Sequence, residues 1–297
     1  MKRVLDLPDH GLLLMATDLQ GHLADFRQLA GLFEAAQRER GDVTLVITGD
    51  LVHGPELDPH EWPDHLGAYY QGESVEVLEE AAALQQQYPG RVHYLLGNHE
   101  HAHIGGPVVG KFFPDEAARL EELLGTERTA SIRAWLHSWP LVAVAGRARL
   151  CLLHGAPQAP ITSREDIERV NLEALGAGGV LHDPTSRIIL GSLLWARSAT
   201  SERARAFLRA LGPMLSTAIH GHDVVREGFV VEDTTHLCVS SSFGCHDGDK
   251  LYVAWELSEP AISALDVARR GLRRLWPEAE PVHLDASLRS GREVEKA

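Results

Sequence analysis

The sequence predicts an α/β fold, and three observations predict it. Short apolar runs, each broken off by a turn residue, recur over residues 12–16, 43–48, 91–96, 150–153 and 217–219. Stretches with apolar residues at helical spacing lie between the early ones, over residues 22–40 and 75–88. Each run also ends on residues that can bind metal or move protons: Asp18, Asp50, Asn98 with His99, His154, and His220 with His222. Short apolar runs bounded by turn residues read as buried strands. Ligands of open α/β sheets bind outside the carboxyl ends of the strands, so five such endings point to one shared site. The donors are oxygen and imidazole with no cysteine, a hard-to-borderline set.

Composition narrows the partners. A chain of 297 residues, 44% apolar and 24% charged, is ordinary globular material for one large domain or two small ones. No apolar run approaches the ~18 residues of a membrane span, and the first residues lack the apolar core of a signal peptide. Three cysteines form an odd, widely spaced set that gives no disulfide framework. The expectation is a soluble cytoplasmic protein with no membrane partner. A net charge of −14 argues against nucleic acid, whose phosphates need Lys and Arg. A small phosphorylated substrate stays open, because bound cations can invert the local field.

The elements follow in order. Residues 22–40 carry Leu23, Phe26, Leu29, Ala30, Phe33 and Ala36 on one helical face, with Gly41 as the stop. After the strand ending at Asp50, residues 55–73 are rich in Pro, His, Asp and Gly and read as a long loop. A helix over 75–88 closes at Pro89-Gly90, and the strand over 91–96 delivers Gly97-Asn98-His99-Glu100. Two further helical stretches, 115–124 and 129–138, are separated by Gly125 and either cap the site or pack on one sheet face. Strands then dominate, over 141–144, 150–153, 217–219, 228–231, 236–240 and 251–255, with a helix at 201–211 among them. From Glu259 to Trp276 an amphipathic stretch gathers Arg269, Arg270, Arg273 and Arg274, either a docking surface or a solvated face. Residues 280–297 read as a frayed tail.

From the residues alone, the strand endings suit a two-metal hydrolytic site in which Asp50 bridges two cations and the others ligate one each. A phosphoester fits, because its hydrolysis depends mostly on positioning and charge neutralisation. At this point the motifs resemble those of a known family. Gly97-Asn98-His99-Glu100, Gly49-Asp50-Leu51-Val52, His154-Gly155, Leu193-Leu194-Trp195, His222-Asp223-Val224-Val225 and Ser240 to Cys245 occur in the order found in calcineurin-like metallophosphoesterases. They resemble most the PPP-family Ser/Thr protein phosphatases. The resemblance runs with gaps from about residue 12 to 257. It implies a four-layer α/β/β/α sandwich with a central β-sandwich, as a domain over residues 1–258, leaving a basic helix and flexible tail over 259–297. It also implies one metal on Asp18, Gln20 and Asp50, and a second on Asp50, Asn98, His154 and His222. His99 would donate a proton to the leaving oxygen or bind the phosphate, while metal-bound hydroxide attacks phosphorus directly. Two divalent cations are implied, Mn²⁺ foremost, with Mg²⁺, Fe or Zn²⁺ as alternatives.

Three departures qualify the resemblance. Gln20 stands where the family has a histidine ligand; an amide oxygen still ligates and favours Mg²⁺ or Mn²⁺ over Zn²⁺. His22, two residues on, is a possible substitute. His53 replaces the family's Asp beside the catalytic histidine and cannot stabilise an imidazolium as a carboxylate would. Gly54 replaces a phosphate-binding Arg, and Arg197 is the candidate to grip phosphate instead.

Each ligand candidate also has a bland reading as a turn residue, helix cap or satisfied core histidine. The ordered set of motifs outweighs it for the metal ligands; for His22 and His220 the bland reading prevails. One rival motif is present: His99 to His103 satisfies H-E-x-x-H. Its zinc chemistry needs both histidines one turn apart on a helix, and Gly105-Gly106-Pro107 leave little room for one. The sequence therefore predicts a metal-dependent phosphoesterase, with a phosphoprotein as leading substrate. A nucleotide or dinucleoside-polyphosphate hydrolase is the alternative enzyme, and a degenerate metal-binding scaffold the alternative outside catalysis.

Overall fold

A computed structural model of the chain describes residues 2–176 and 183–285. Its strands are β1 (Val4–Asp6), β2 (Leu12–Ala16), β3 (Val43–Ile47), β4 (Val92–Tyr94), β5 (Val142–Ala145), β6 (Leu150–Leu153), β7 (Thr217–His220), β8 (Phe229–Val231), β9 (His236–Val239), β10 (Leu251–Glu256) and β11 (Leu272–Arg274). Its α-helices are α1 (Leu23–Arg40), α2 (Ser74–Gln87), α3 (Asn98–His101), α4 (Glu116–His137), α5 (Arg164–Glu168), α6 (Pro184–Trp195), α7 (Ser201–Leu211) and α8 (Ala264–Gly271). Six strands form one sheet in the order β1-β5-β6-β7-β9-β8, and five form the other, β11-β10-β2-β3-β4.

Alternation along the strands explains the layering. Leu13 and Met15 of β2, Val46 of β3, Leu150 and Leu152 of β6 and Ile219 of β7 share one buried cluster, the interior between the sheets. Their neighbours Leu14, Leu45 and Ile47 belong to a second cluster with Phe26, Leu29 and Phe33 of α1 and Val77 and Leu78 of α2. On the other sheet Val142, Cys151 and Leu153 meet Ile167, Leu190, Phe207 and Leu208 of α5, α6 and α7 in the same way. Both faces of the central strands are thus buried, which is why they read as unbroken apolar runs rather than alternating ones. The result is the expected four layers, helix, sheet, sheet, helix.

The helix boundaries follow local chemistry. Gly41 ends α1 at φ 78°, with its N–H on the Gln37 carbonyl. Gly125 interrupts α4 at φ 72° and ψ 167°, so that element is two helical pieces across a kink. The element packs beside α2 and α3.

Some expectations change. The arginine-rich stretch is not one helix: α8 carries Arg269 and Arg270, while Arg273 and Arg274 lie in β11, paired antiparallel with β10. The charges are used internally, since Arg270 meets Glu259 and Asp266 and stacks over Trp255, and Arg273 donates to the Arg270 carbonyl. The tail is ordered at its start, because Val282, His283 and Leu284 donate their N–H groups to Asp249. Residues 286–297 of the expected tail lie outside the described residues. Among the described residues no helix is long and apolar enough to cross a membrane.

Candidate active site

The carboxyl ends of β2, β3 and β4 in one sheet and of β6 and β7 in the other meet at one end of the sandwich. There Asp18, Gln20, Asp50, Asn98, His99 and His222 line a cleft of about 360 Å³ together with Lys111, Arg197 and Phe243. The turns delivering them are strained. Asp18 (φ 51°), Gln20 (47°), Asp50 (54°), His53 (65°) and His222 (68°) all adopt left-handed backbone; among the described residues only one other non-glycine, Arg149, does so. Such conformations cost about 1–3 kcal/mol each and persist where the surroundings impose them. Glu100 is one such constraint: its carboxylate accepts from the N–H groups of Gly97, Asp50 and Leu51 at 3.1, 2.9 and 2.7 Å. Close backbone approach is another. A Cβ on Gly49 would lie 2.5 Å from Gly97 N, and one on Gly97 would lie 2.5 Å from Asp50 N.

The donor set fits a divalent cation. His154 Nδ1 lies 2.9 Å from the Thr48 carbonyl, which can only accept, so Nδ1 carries the proton and Nε2 presents a lone pair. That lone pair faces Asn98 Oδ1 at 2.9 Å and Asp50 Oδ1 at 3.4 Å, both acceptors, with His222 Nδ1 at 3.0 Å. Burial lowers the pKa of both histidines, His222 the more strongly, and so favours the neutral ligating form. A cation resolves this meeting of lone pairs, and N/O donors at such spacing suit one. The neighbouring set is oxygen-only. Gln20 Nε2 donates to Asp50 Oδ2 at 3.0 Å, leaving Gln20 Oε1 buried without a partner. Asp18 Oδ2 accepts from the Thr17 hydroxyl and, at 2.9 Å, from His222 N–H. Burial first, and then the charge of Asp18, raises the Asp50 pKa far above its ordinary value; a bound cation would reverse that push.

Behind the cleft, hydrogen bonds determine the tautomer of His99. Glu121, paired with Arg133 at 2.6 Å, accepts from His103 Nδ1 at 2.9 Å. With His103 carrying that one proton, its Nε2 accepts from His53 Nε2, and His53 Nδ1 from His99 Nδ1, each at 2.9 Å. His99 Nε2 is left facing Asp50 Oδ2 at 3.7 Å, free to exchange a proton with the cleft. The H-E-x-x-H pair thus has His53 between His99 and His103, each ring turning a nitrogen to His53 rather than both to one point.

Sequence reasoning missed Glu116, the first residue of α4. Its Oε2 is buried without a hydrogen-bond partner, 3.6 Å from His99 Nδ1 and 3.7 Å from His53 Nδ1. Burial lifts its pKa to about 7. A carboxylate therefore does stand beside His99, supplied by another element than the one the motif occupies. Lys111 was missed too; its Nζ sits 3.5 Å over the Phe243 ring in the cleft wall. No local pattern marks either residue, since each is defined by what it meets across the fold.

The other expected residues are placed as follows. Arg197 reaches the rim, but its Nη1 pairs with Asp223 at 2.7 Å and also donates to the His222 carbonyl. His22 caps α1, accepting from Asp25 N–H through Nδ1, and stacks on Tyr70, so it is no substitute ligand. Gly54 could carry no side chain, because a Cβ there would lie 2.4 Å from the Gln20 carbonyl and 2.7 Å from Gly72. His220 points away from the cleft toward Glu232.

Comparison with known proteins agrees with this fold. The family model for calcineurin-like phosphoesterases matches residues 12–226. Among solved structures, a Saccharomyces cerevisiae protein serine/threonine phosphatase with similarity to human phosphatase PP5 superposes with a TM-score of 0.54 at 18% identity, over 81% of this chain and 71% of that one. A cold-active protein-tyrosine phosphatase of a psychrophilic Shewanella superposes with a TM-score of 0.55 at 16% identity, over 87% of this chain and 78% of that one. A search of the curated proteins returned no match.

Proposed function

Because the chain belongs to the calcineurin-like phosphoesterase family, we propose that this hydrolase acts on phosphomonoesters, with phosphoserine or phosphothreonine in proteins as its substrate class. The observation that carries the reading is the meeting of Asp50, Asn98, His154 and His222 at one point, beside His99. Cations held there, on those four residues and on Asp18 with Gln20, would supply the nucleophile from water and neutralise phosphoryl charge. The chain's own residues do the rest. Lys111 and Arg197, on the cleft wall and rim, attract the phosphate dianion in place of the arginine that Gly54 cannot provide. As the P–O bond breaks, the leaving alkoxide takes a proton from His99 Nε2. Glu116 Oε2 offsets the positive charge His99 carries beforehand.

The test is hydrolysis of p-nitrophenyl phosphate with added Mn²⁺, comparing the wild type with Asp50→Asn. Turnover in the wild type and its loss in the variant are expected; an inactive wild type would overturn the reading. Phosphoserine, phosphothreonine and phosphotyrosine peptides set against diadenosine polyphosphates then test the substrate class. Preference for the dinucleotides would replace the phosphoprotein reading.

A further inference from the structure

Beyond the cleft, on the far side of β7, a second cluster has the chemistry of a metal site. It is built by three neighbouring strands. His220 ends β7, His236 begins β9, and Glu232 directly follows β8. Both rings are fully buried, and the Glu232 side chain is 19% exposed, leaving a narrow opening to solvent. His220 Nδ1 lies 3.0 Å from the Gly221 carbonyl, and His236 Nδ1 lies 3.0 Å from Asp233 Oδ1. An oxygen acceptor at each Nδ1 favours the Nδ1–H tautomer, which leaves both Nε2 atoms presenting lone pairs. Both lone pairs are aimed at one carboxylate: His220 Nε2 is 3.2 Å from Glu232 Oε1, and His236 Nε2 is 2.7 Å from Glu232 Oε2.

Three electron-rich groups facing one another need positive charge between them. Protons on the rings would provide it, and a ring proton would make the 2.7 Å contact of His236 Nε2 with Glu232 Oε2 a hydrogen bond. One divalent cation provides it with both histidines neutral. The direction of His220 Nε2 separates these solutions. Despite its 3.2 Å approach to Glu232, it makes no hydrogen bond of acceptable geometry and has no other partner. A cation seated between the three groups does not require N–H and carboxylate to be collinear. The separations, 2.7 and 3.2 Å, are also close to the 2.9–3.4 Å among the donors in the cleft.

We infer that His220, Glu232 and His236 form a structural site for a divalent transition metal, Zn²⁺ by its donors, distinct from the cleft. Two imidazoles and a carboxylate suit Zn²⁺ over the Mg²⁺ or Mn²⁺ that an oxygen-rich set takes. Asp233, behind His236, orients the ring as carboxylates behind zinc-ligating histidines do. The ion would tie the β8–β9 hairpin to β7, two residues before His222 enters the cleft.

The test loads full-length, chelator-stripped protein with Zn²⁺ alone and, in parallel, Co²⁺ alone. Metal content after dialysis and the visible Co²⁺ band of a tetrahedral nitrogen–oxygen site are measured. Wild type is expected to retain one more equivalent of Zn²⁺ than His236→Gln or Glu232→Gln, while Asp50→Asn keeps the Co²⁺ band. Glu232→Gln preserves the shape of the side chain; far-UV circular dichroism confirms that it folds, should His236→Gln not. Equal zinc content in wild type and a folded Glu232→Gln, or a Co²⁺ band lost only in Asp50→Asn, would overturn the inference. Because metal content and not turnover is read, an inactive enzyme would leave this result standing.

Discussion

At the scale of single residues, Glu116 links chemistry to stability with opposite signs. Its pKa is raised by burial from the ordinary 4.5 to about 7. Between those values the folded state holds a proton that the unfolded chain has lost, so this group's contribution to stability falls as pH rises through the window. Above pH 7 the buried carboxylate is ionised and costs stability; below 4.5 it costs none. Glu116→Gln should therefore stabilise metal-free protein by on the order of 2 kcal/mol at pH 8 and by almost nothing at pH 4, as urea unfolding would record. The same change should slow turnover of phenyl phosphate roughly 10–100-fold, because its leaving group needs the proton of His99. Turnover of p-nitrophenyl phosphate, whose leaving group departs readily unprotonated, should fall much less; an equal fall for both would refute the role. Lys111→Met should act on binding instead, raising KM roughly tenfold with kcat nearly unchanged. A kcat loss of the same size would remove Lys111 from phosphate binding.

At the scale of elements, the site depends on two turns pressed together. Asp50 follows β3 and Asn98 follows β4, and their donors meet only because Gly49 and Gly97 are in backbone contact. A methyl on Gly97 would lie 2.3 Å from Asp50 Oδ1 and 2.5 Å from Asp50 N, and a backbone atom cannot swing aside. Gly97→Ala should cost roughly 3 kcal/mol and most of the activity, measurable by thermal unfolding and phosphatase assay. A variant with wild-type stability and turnover would show that the turns can part. That the two turns serve one site was the expectation from the sequence, since an apolar run, a glycine and a metal-binding residue recur in order at Gly49-Asp50 and Gly97-Asn98; their backbone contact was not. What was not legible has physical reasons. Val4–Asp6 and Leu272–Arg274 are three-residue edge strands, too short to show a period, and exist because β5 and β10 offer them free edges. The α6 helix, PTSRIILGSLLW, is apolar enough to hide helical spacing. Glu116 belongs to the site only through contacts with residues 53 and 99, which no local motif encodes.

For the whole molecule, the sandwich holds polar groups together at one end against their mutual repulsion. Asp50 is 2% exposed, Asp18 8%, and His154 fully buried, so the unpaired negative charge of the cleft is kept in a low-dielectric setting. The layers on either side, with apolar residues buried on both faces of β2, β3, β6 and β7, supply the stability that offsets this. Ion binding should therefore appear as a global effect. A ligand that binds only the folded state at about a hundred times its Kd adds about 2.7 kcal/mol. For a chain of this length that corresponds to a Tm rise of roughly 5 °C. Mn²⁺ titrated into chelator-stripped protein should produce such a rise, saturating with concentration. Asp50→Asn should lose most of it, because Asp50 faces both the His154 side and the Gln20 side of the cleft. The variant should also begin from a higher metal-free Tm at neutral pH, since it removes a carboxyl whose ionised form burial disfavours. A wild type indifferent to Mn²⁺, or an Asp50→Asn variant with an undiminished response, would mean that the cleft is not where the ion binds.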